Sequence, residues 1–268
     1  MGRSNDNKYP VKSLVKALDI LAFLGTSDSG ASLTDISRAL KIGKSTIHRI
    51  LATLRERDFV WLDPDSSRYL LGAKFLRFAG ALSRQSTLIR YGEAVIAQLA
   101  DGTDETCNLG VLDGTEVVYL IIRESKNPLR MTGQAGKRLP AHCTALGKAL
   151  LSSLAEEGLT RLYSNSRDLV RPTANCISTL AELSAQLAKV RKSGLAFDNG
   201  ELYPGVECIA APVRDYQGTI IAAVSVSFPK NRIGPAKLET FKSMLLACSD
   251  VLSQQFGYQA VTQTEGRA

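Results

Sequence analysis

One stretch of basic and hydroxyl side chains has the types and spacing of a DNA-reading helix. Apolar residues recur at i, i+3, i+4 and i+7 from position 47 to 54, which predicts a helix with one apolar face. The opposite face carries side chains that can hydrogen-bond phosphates and base edges: Lys44, Ser45, Thr46, His48, Arg49 and Thr53. Arg49 has the donor geometry to grip guanine, and Lys44 can neutralise a phosphate. We expect this helix to enter the major groove of double-stranded DNA.

Charge alone leaves other interpretations of this stretch open. Residues 41–57 hold five basic residues and one acidic residue, a net charge of +4. Such a run also fits a solvated helix face, or a helix-turn-helix that contacts only another protein. His48 by itself also fits an ordinary exposed helix residue.

A second set of polar residues has the spacing of a small-molecule pocket. The segment 219–228 alternates, so Ser225 and Ser227 share one face of a strand. Cys208 lies on the preceding strand, and Asp198 lies in a turn-like run further upstream. A helix predicted over 142–154 adds backbone N–H groups without intrahelical partners, which attract a carboxylate. Periodicity alone favours the plainer interpretation that both serines face solvent.

Catalytic and metal chemistry have less support in the spacing. A thiol nucleophile needs Cys143 or Cys208 with His142 as its base. His142 and Cys143 are neighbours in the sequence, so on a regular helix or strand their side chains point apart. No spacing of His, Cys, Asp and Glu matches a metal site. We expect no enzyme activity, no cofactor and no metal. Two alternatives stay open: a thiol redox regulator using Cys143 or Cys208, and a DNA-binding head fused to a small-molecule enzyme.

The elements before the basic helix have the order of a helix-turn-helix. An amphipathic helix is predicted over 11–24, and a cluster of turn formers ends it. Ser32 and Asp35 form a capping-box pattern that starts a second helix. The run 41–43 breaks that helix and leads into the basic one.

A β-hairpin after the basic helix completes a winged helix-turn-helix. Strands are predicted over 59–62 and 68–71, on either side of a loop rich in turn formers. Arg68 on this wing is a candidate phosphate contact. Three aromatic residues are expected to close the small core: Phe59, Trp61 and Tyr69.

The hydrophobic period changes from helix to strand after residue 105. Strands are predicted over 106–112, 116–122, 129–132, 207–213 and 219–228. Helices are predicted over 142–154, 180–192 and 235–256. Hairpins interleaved with helices indicate an α+β domain with an antiparallel sheet.

Length and composition suit an intracellular protein of two domains. The chain has 268 residues, 44% of them hydrophobic, and a net charge of +7. Five cysteines without a CxxC pair favour reduced thiols and a cytoplasmic location, and no stretch reaches the roughly 18 apolar residues of a membrane span. The predicted organisation is a disordered arm (1–10), a winged helix-turn-helix (11–72), a helical linker for dimerisation (73–100), an effector-binding domain (101–258) and a tail (259–268).

Several motifs in the right order resemble the IclR family of bacterial transcription regulators over nearly the whole chain. In the DNA-binding half the resemblance lies in KSTIHRIL from Lys44 and YLLG from Tyr69. In the distal half it lies in LPAHCTALGKALL from Leu139, GVECIAAPV from Gly205 and AAVSVS from Ala222. The resemblance implies an N-terminal winged helix, a linker helix used in dimerisation and a C-terminal effector domain of GAF-like α+β fold.

The same resemblance implies a homodimer, or a tetramer built as a dimer of dimers, on double-stranded operator DNA. It implies a small effector that carries a carboxylate, such as an organic acid or a sugar acid, and action as a repressor or an activator. By motif position, the effector contacts fall on the backbone of Ala145 and Leu146 and on four side chains: Asp198, Cys208, Ser225 and Ser227. The apolar walls of the site fall on Met131, Leu139 and Val206. With the resemblance added, the effector pocket becomes the favoured interpretation of the two serines.

Overall fold

The computed structural model describes residues 10–78, 87–164 and 169–259, and the chain divides into two compact units, Met1–Ser86 and Thr87–Ala268. The arm predicted over 1–10 and the tail predicted over 259–268 lie outside the described residues, apart from Pro10 and Gln259. Of the predicted linker, residues 74–78 are helical in the first unit, and a helix of the second unit begins at Thr87. The part of the linker between them lies outside the described residues.

The first unit contains the three predicted helices: α1 (Lys12–Leu24), α2 (Leu33–Leu40) and α3 (Lys44–Glu56). The predicted capping box starts α2, because the Asp35 amide donates to the Ser32 hydroxyl and the Ser32 amide donates to the Asp35 carboxylate, both at 3.2 Å. The turn between α2 and α3 passes through Lys41 in the left-handed region, with φ at +54°. The Ser37 hydroxyl donates to the Ile42 carbonyl at 2.7 Å and holds this turn closed.

The wing is formed by β1 (Val60–Leu62) and β2 (Tyr69–Leu71), which pair antiparallel. Ala31 adds a bridge to Tyr69, so the segment before α2 is tied to the wing. The core of this unit contains seven buried residues: Ile20, Leu24, Ala31, Ile36, Ile47, Leu51 and Val60.

The aromatic residues of the wing do not all enter that core. Trp61 is 53% exposed, so its predicted core position is wrong. Side chains alternate along a strand, and burial of Val60 turns Trp61 outward. Tyr69 packs against the core, whereas Phe59 stacks on Phe78, in an aromatic cluster beside the core.

The second unit is built on a six-stranded antiparallel sheet with the order β5-β4-β3-β8-β7-β6. Its strands are β3 (Thr106–Asp113), β4 (Glu116–Arg123), β5 (Arg138–Pro140), β6 (Ala196–Asn199), β7 (Val206–Arg214) and β8 (Ile220–Pro229). The central pairing joins β3 to β8, with Asn108 opposite Ser225.

Helices cover both faces of this sheet: α4 (Thr87–Thr103), α5 (Ala145–Leu151), α6 (Glu156–Tyr163), α7 (Leu180–Ser193) and α8 (Pro235–Gln255). One core lies between the sheet and the pair α4 and α8, and it takes Val224, Val226 and Phe228 from β8. The other core lies between the sheet and the helices α5, α6 and α7. Helices cover both faces of the sheet. Alternate side chains of β8 therefore enter two different buried layers, and neither set faces solvent.

The structure corrects several predicted elements of the second unit. Residues 129–132 form no strand, and the third strand of the first hairpin group is instead β5. The helix predicted over 142–154 is a 3₁₀ turn, Ala141–Cys143, followed by α5, which begins at Ala145. The helix α6 and the strand β6 were not predicted. No helix among the described residues has both the length and the apolar composition to span a membrane.

Candidate functional site

The face of α3 opposite the core carries the side chains predicted to contact DNA. They are exposed except for the half-buried Thr46: Lys44, Ser45, Thr46, His48, Arg49 and Thr53. On the other face, Ile47 and Leu51 are fully buried. Within the described parts of the chain, the side chains of Lys44, His48 and Arg49 form no hydrogen bond or ion pair. These three side chains can therefore meet an outside partner without first breaking contacts of their own, whereas the Thr53 hydroxyl donates to the Arg49 carbonyl at 3.1 Å.

The beginning of α3 offers backbone donors beside those side chains. Gly43 is its N-cap and contributes no side-chain cap. A methyl group at Gly43 would have no other atom within 4 Å, so the approach to the helix end is open. The N–H groups of a first helical turn have no intrahelical acceptor and favour anions such as phosphate.

Arg68 is held by the protein itself. Its Nε donates to the Ser29 carbonyl at 3.0 Å, its Nη2 donates to the Gly30 carbonyl at 2.9 Å, and the guanidinium lies 3.9 Å from the Asp35 carboxylate. These contacts fasten the wing to the turn before α2. A contact of Arg68 with phosphate stays a prediction, and Arg68 has a structural role that the sequence did not indicate.

The second unit contains a cavity on the sheet face that packs against α5. All nine residues predicted to contact an effector line it: Met131, Leu139, Ala145, Leu146, Asp198, Val206, Cys208, Ser225 and Ser227. They come from segments far apart in the chain, and the fold brings them together.

A hydrogen-bonded group of polar side chains lines one side of this cavity. Asn108 donates from Nδ2 to the Ser225 hydroxyl at 3.1 Å and to the Ser227 hydroxyl at 3.4 Å, and the Cys208 thiol donates to Ser227 at 3.1 Å. Ser225 is 2% exposed and Ser227 is 8% exposed, so the interpretation of both as solvent-facing serines is wrong. Asn108 was missed by the sequence analysis. An amide in the middle of an apolar strand was the available indication.

The first turn of α5 closes another side of the cavity. The Thr144 hydroxyl accepts from the Gly147 amide at 3.0 Å and caps the helix. Gly147 packs so tightly on the preceding 3₁₀ turn that a methyl group there would lie 2.1 Å from the Ala141 carbonyl oxygen. The amides of Ala145 and Leu146, at the start of this helix, have no intrahelical acceptor.

Asp198 lies on the edge strand β6 and not in the turn that the sequence suggested. Its Oδ1 accepts from the Glu201 amide at 2.6 Å. Burial raises the pKa of Asp198 to about 6, and the nearby Glu201 carboxylate acts in the same direction. Glu201 is paired with Lys148 of α5, with 2.5 Å between Nζ and Oε1, and these side chains are 5% and 1% exposed. The buried Lys148–Glu201 ion pair therefore lies near the Asp198 carboxyl group, whose raised pKa allows it to change its charge at mildly acidic pH.

Lys137 contributes the one basic side chain among the described residues that line the cavity. Its ammonium lies 5.8 Å from the centre of the Tyr203 ring and has no acidic partner within the described ranges. Lys137 was not among the predicted site residues, because it precedes a short strand that was not predicted.

The imidazole and thiols of the second unit lie closer together than their sequence spacing predicts. His142, Cys143 and Cys176 have ligand atoms that all lie within 4.8 Å of one another, so the spacing argument against convergent groups is wrong. His142 and Cys143 share a 3₁₀ turn rather than a regular helix, and Cys176 comes from a loop about 30 residues later. Burial raises the pKa of Cys143 and of Cys208 to about 12, which opposes the thiolate that a nucleophile or a peroxide sensor needs.

Comparison with protein families covers both units. The family model described as "Bacterial transcriptional regulator IclR C-terminal" matches residues 80–254, and the model described as "IclR helix-turn-helix domain" matches residues 13–64. These matches contain the exposed face of α3 and the cavity of the second unit.

Individual relatives match over almost their full length. The HTH-type transcriptional regulator XynR of Escherichia coli K12 is 32% identical over 250 residues, which cover 93% of this chain and 99% of XynR. The HTH-type transcriptional regulator BhcR of Paracoccus denitrificans is 34% identical over 252 residues, covering 94% and 90%. The crystal structure of Thermotoga maritima IclR is similar with a TM-score of 0.77 at 27% identity, covering 93% of this chain and all of that one. This chain therefore belongs to the IclR family, and it is a ligand-responsive, DNA-binding transcriptional regulator and not an enzyme.

Proposed function

We propose that this chain acts in the cytoplasm on a specific operator sequence, with α3 in the major groove of each half-site. Arg49 reads a base edge, most simply guanine, while Lys44 and the amides of the first helical turn hold phosphates. Ser45, Thr46, His48 and Thr53 complete the contact surface. The observation that carries this proposal is the exposed face of α3, where basic and hydroxyl side chains have no intramolecular ion pair within the described residues.

Substitution of Arg49 tests the operator contact. Loss of a bidentate base contact is worth about 1 to 3 kcal/mol, so Arg49→Ala should weaken specific binding by roughly 5- to 150-fold. The measurement is fluorescence anisotropy with the chain's own upstream DNA against a shuffled duplex. Arg161→Ala removes an exposed arginine of the second unit and serves as the matched control. An unchanged preference in Arg49→Ala would refute the assignment of α3 as the reading helix.

We also propose that the cavity binds a small hydroxylated carboxylic acid. Lys137 provides the positive charge for the carboxylate, helped by the amides of Ala145 and Leu146. Hydroxyl groups of the effector meet Asp198 and the polar group around Ser225. Met131, Leu139 and Val206 enclose its carbon skeleton. The arrangement favours a polyhydroxy acid, because polar groups lie at both the charged and the uncharged sides of the cavity.

Thermal shift with a panel of small acids, including sugar acids and aromatic acids, tests the cavity. The stabilising acid should lose its shift in the double variant Ser225→Ala and Ser227→Ala, since Asn108 would then lose its acceptors. Lys137→Gln should weaken the same acid while leaving an uncharged analogue unaffected. Ser243→Ala, an exposed serine of α8, is the control. Retention of the full shift in the double variant would move the effector site elsewhere.

A homodimer is the assembly that we propose for operator binding. An apolar stripe on α1 is at least 44% exposed at each position: Val11, Leu14, Val15 and Leu18. Leu76 and Phe78, in the helical stretch after the wing, are also more than half exposed. A second copy of the chain would cover these surfaces and set the spacing of two reading helices. An effector that prefers one arrangement of the dimer shifts operator affinity through a coupling of about 1 to 3 kcal/mol.

The apolar stripe can be tested by charge. Leu14→Glu with Leu18→Glu should shift the sedimentation coefficient toward that of a smaller species, and should lower operator affinity without unfolding α1. Lys16→Glu, between the two leucines on another face, controls for the added charge. If the double variant sediments like the unchanged chain, the stripe is not an assembly surface. A second, weaker association step would distinguish a tetramer from a dimer.

A further inference from the structure

A cluster of one imidazole and two thiols lies in the second unit, behind the wall of the effector cavity. His142 and Cys143 come from the 3₁₀ turn Ala141–Cys143, and Cys176 comes from the loop before α7. Their ligand atoms lie within 4.8 Å of one another. All three residues are buried, at 3%, 0% and 3% exposure in that order.

The hydrogen bonds around the imidazole prepare it as a ligand. Nε2 of His142 lies 2.8 Å from the Val170 carbonyl, which can only accept, so Nε2 carries the proton. In the neutral ring Nδ1 is then the lone-pair nitrogen, and the Cys176 thiol donates to the same Val170 carbonyl at 3.6 Å. Metal-binding histidines are oriented in this way, with the second nitrogen donating to a carbonyl or carboxylate.

Two buried oxygen atoms without hydrogen-bond partners lie beside the same cluster. Across residues 10–78, 87–164 and 169–259, the buried side-chain atoms that lack a partner are Tyr163 Oη and Glu201 Oε2. The Tyr163 ring packs edge-on against His142 at 6.2 Å. Glu201 is close enough to act electrostatically on His142, Cys143 and Cys176. Buried polar atoms without partners are costly, so their position next to three ligand-type residues favours the binding of a polar or charged group here.

We propose that His142, Cys143 and Cys176 form a binding site for a thiophilic divalent cation, for which Zn²⁺ is the best match. One imidazole and two thiolates are donors that zinc prefers, whereas Mg²⁺ and Ca²⁺ take oxygen ligands. Binding of the ion releases the protons of both thiols, although burial raises the pKa of the free Cys143 thiol, and the two thiolates neutralise the ion. The adjacent Lys148–Glu201 pair adds no net charge. A water molecule in the fourth position can hydrogen-bond one of the orphaned oxygens. This is a site in addition to the effector cavity, and it does not depend on which effector the cavity takes.

The ion would clamp the loop before α7 to the turn that precedes Thr144, Ala145 and Leu146. Cys176 also lines a surface cavity bounded by Arg171, Asn175 and Glu182. Binding is therefore expected to stabilise the second unit and to leave the first unit unaffected.

Cobalt substitution in the full-length chain tests the site. The protein is reduced with a phosphine, stripped with a chelator and titrated with Co²⁺ under argon, so that a Cys143–Cys176 disulfide cannot form. One Co²⁺ per chain should give visible d–d bands of a tetrahedral ion and a near-ultraviolet thiolate charge-transfer band, and Zn²⁺ should abolish both. Cys176→Ser should weaken Zn²⁺ binding by more than about tenfold and reduce the thiolate band.

Cys248 provides a matched control, because it is a partly buried thiol next to Cys107 in the other core. Cys248→Ser should leave the cobalt spectrum unchanged. X-ray absorption of the zinc-loaded unsubstituted chain should find two sulfur neighbours at about 2.3 Å and lighter neighbours at about 2.0 to 2.1 Å. The absence of a thiolate band in the reduced chain, a spectrum that Cys176→Ser does not change, or zinc surrounded only by nitrogen and oxygen would each overturn the proposal.

Discussion

Polar side chains are exposed on α3 but buried and hydrogen-bonded in the cavity beside α5. On α3, Lys44, His48 and Arg49 extend into solvent without intramolecular partners in the described structure. In the cavity, Asn108 and Ser225 are nearly inaccessible and hydrogen-bonded to each other. We relate this difference in exposure to the size of the partner proposed for each surface. Duplex DNA arrives with its own array of donors, acceptors and charges, whereas a small effector needs a site built before it binds.

Buried and exposed ion pairs of the second unit should contribute differently to the free energy of unfolding. Substitution of Glu201 tests this difference and has the largest expected effect. Glu201→Ala leaves the Lys148 ammonium buried, and its remaining partner among the described residues is the side-chain oxygen Oε1 of Gln186, at 2.9 Å. Breaking a buried ion pair from one side typically costs about 3 to 5 kcal/mol. The free energy of unfolding of the second unit, measured by urea denaturation, should fall by that order.

An exposed ion pair of the same unit gives the comparison for Glu201. Lys126 and Asp101 lie 3.4 Å apart with side chains 86% and 73% exposed. Lys126→Ala should change the free energy of unfolding by less than about 1 kcal/mol. The pair of Lys148→Met with Glu201→Leu should recover most of the loss seen in Glu201→Ala, since no unpaired charge is left. Equal effects of Glu201→Ala and Lys126→Ala would remove the distinction between the buried and exposed pairs.

Asp198 should make stability depend on pH in the reverse of the usual direction for a carboxyl group. Its pKa is raised to about 6 in the folded chain, so the folded state holds more protons than the unfolded state between about pH 4 and pH 6. The free energy of unfolding therefore falls as pH rises through that window. Asp198→Asn should remove this contribution, which is on the order of 2 kcal/mol.

Urea denaturation at several pH values checks the sign for Asp198. The unchanged chain should lose stability relative to Asp198→Asn as pH rises from 4 to 6.5, and the difference should level off above that. Asp250→Asn, an exposed aspartate of α8, gives the reference slope. A difference that grows toward low pH instead would mean that Asp198 is stabilised as a carboxylate.

The smallest expected effect concerns the scaffold of the reading helix. Ser32→Ala removes the hydroxyl that caps α2 and should destabilise the first unit by about 1 kcal/mol. The change should leave operator preference intact at low temperature, because the side chains of α3 are not touched. Ser29→Ala, an exposed serine in the turn before α2, is the control. Thermal unfolding followed by Trp61, the only tryptophan of the chain, measures the difference.

Local sequence patterns predict most elements of the first unit. The hydrophobic periodicity and the capping box act between residues only a few positions apart. These local effects are sufficient to predict the helices and the residues on the exposed face of α3. The prediction for Trp61 assigned its side chain to the wrong face of β1. Neighbouring residues of a strand point to opposite faces, so an error of one residue reverses the direction of every side chain. Contact of these residues with DNA remains a prediction.

Most contacts around the cavity depend on how distant segments pack against one another. The motif resemblance predicts nine of the residues that line the cavity. The alternation of polar and apolar residues does not distinguish a buried serine from an exposed one, because β8 has helices on both faces. Asn108 joins the cavity through the pairing of β3 with β8, and the Lys137 carbonyl accepts from the Tyr119 amide of β4 at 3.0 Å. No local pattern specifies either contact. The meeting of Cys143 with Cys176 likewise depends on a loop folding back across the 3₁₀ turn. Local sequence encodes the direction of side chains along one element, whereas proximity between distant segments depends on how elements pack together.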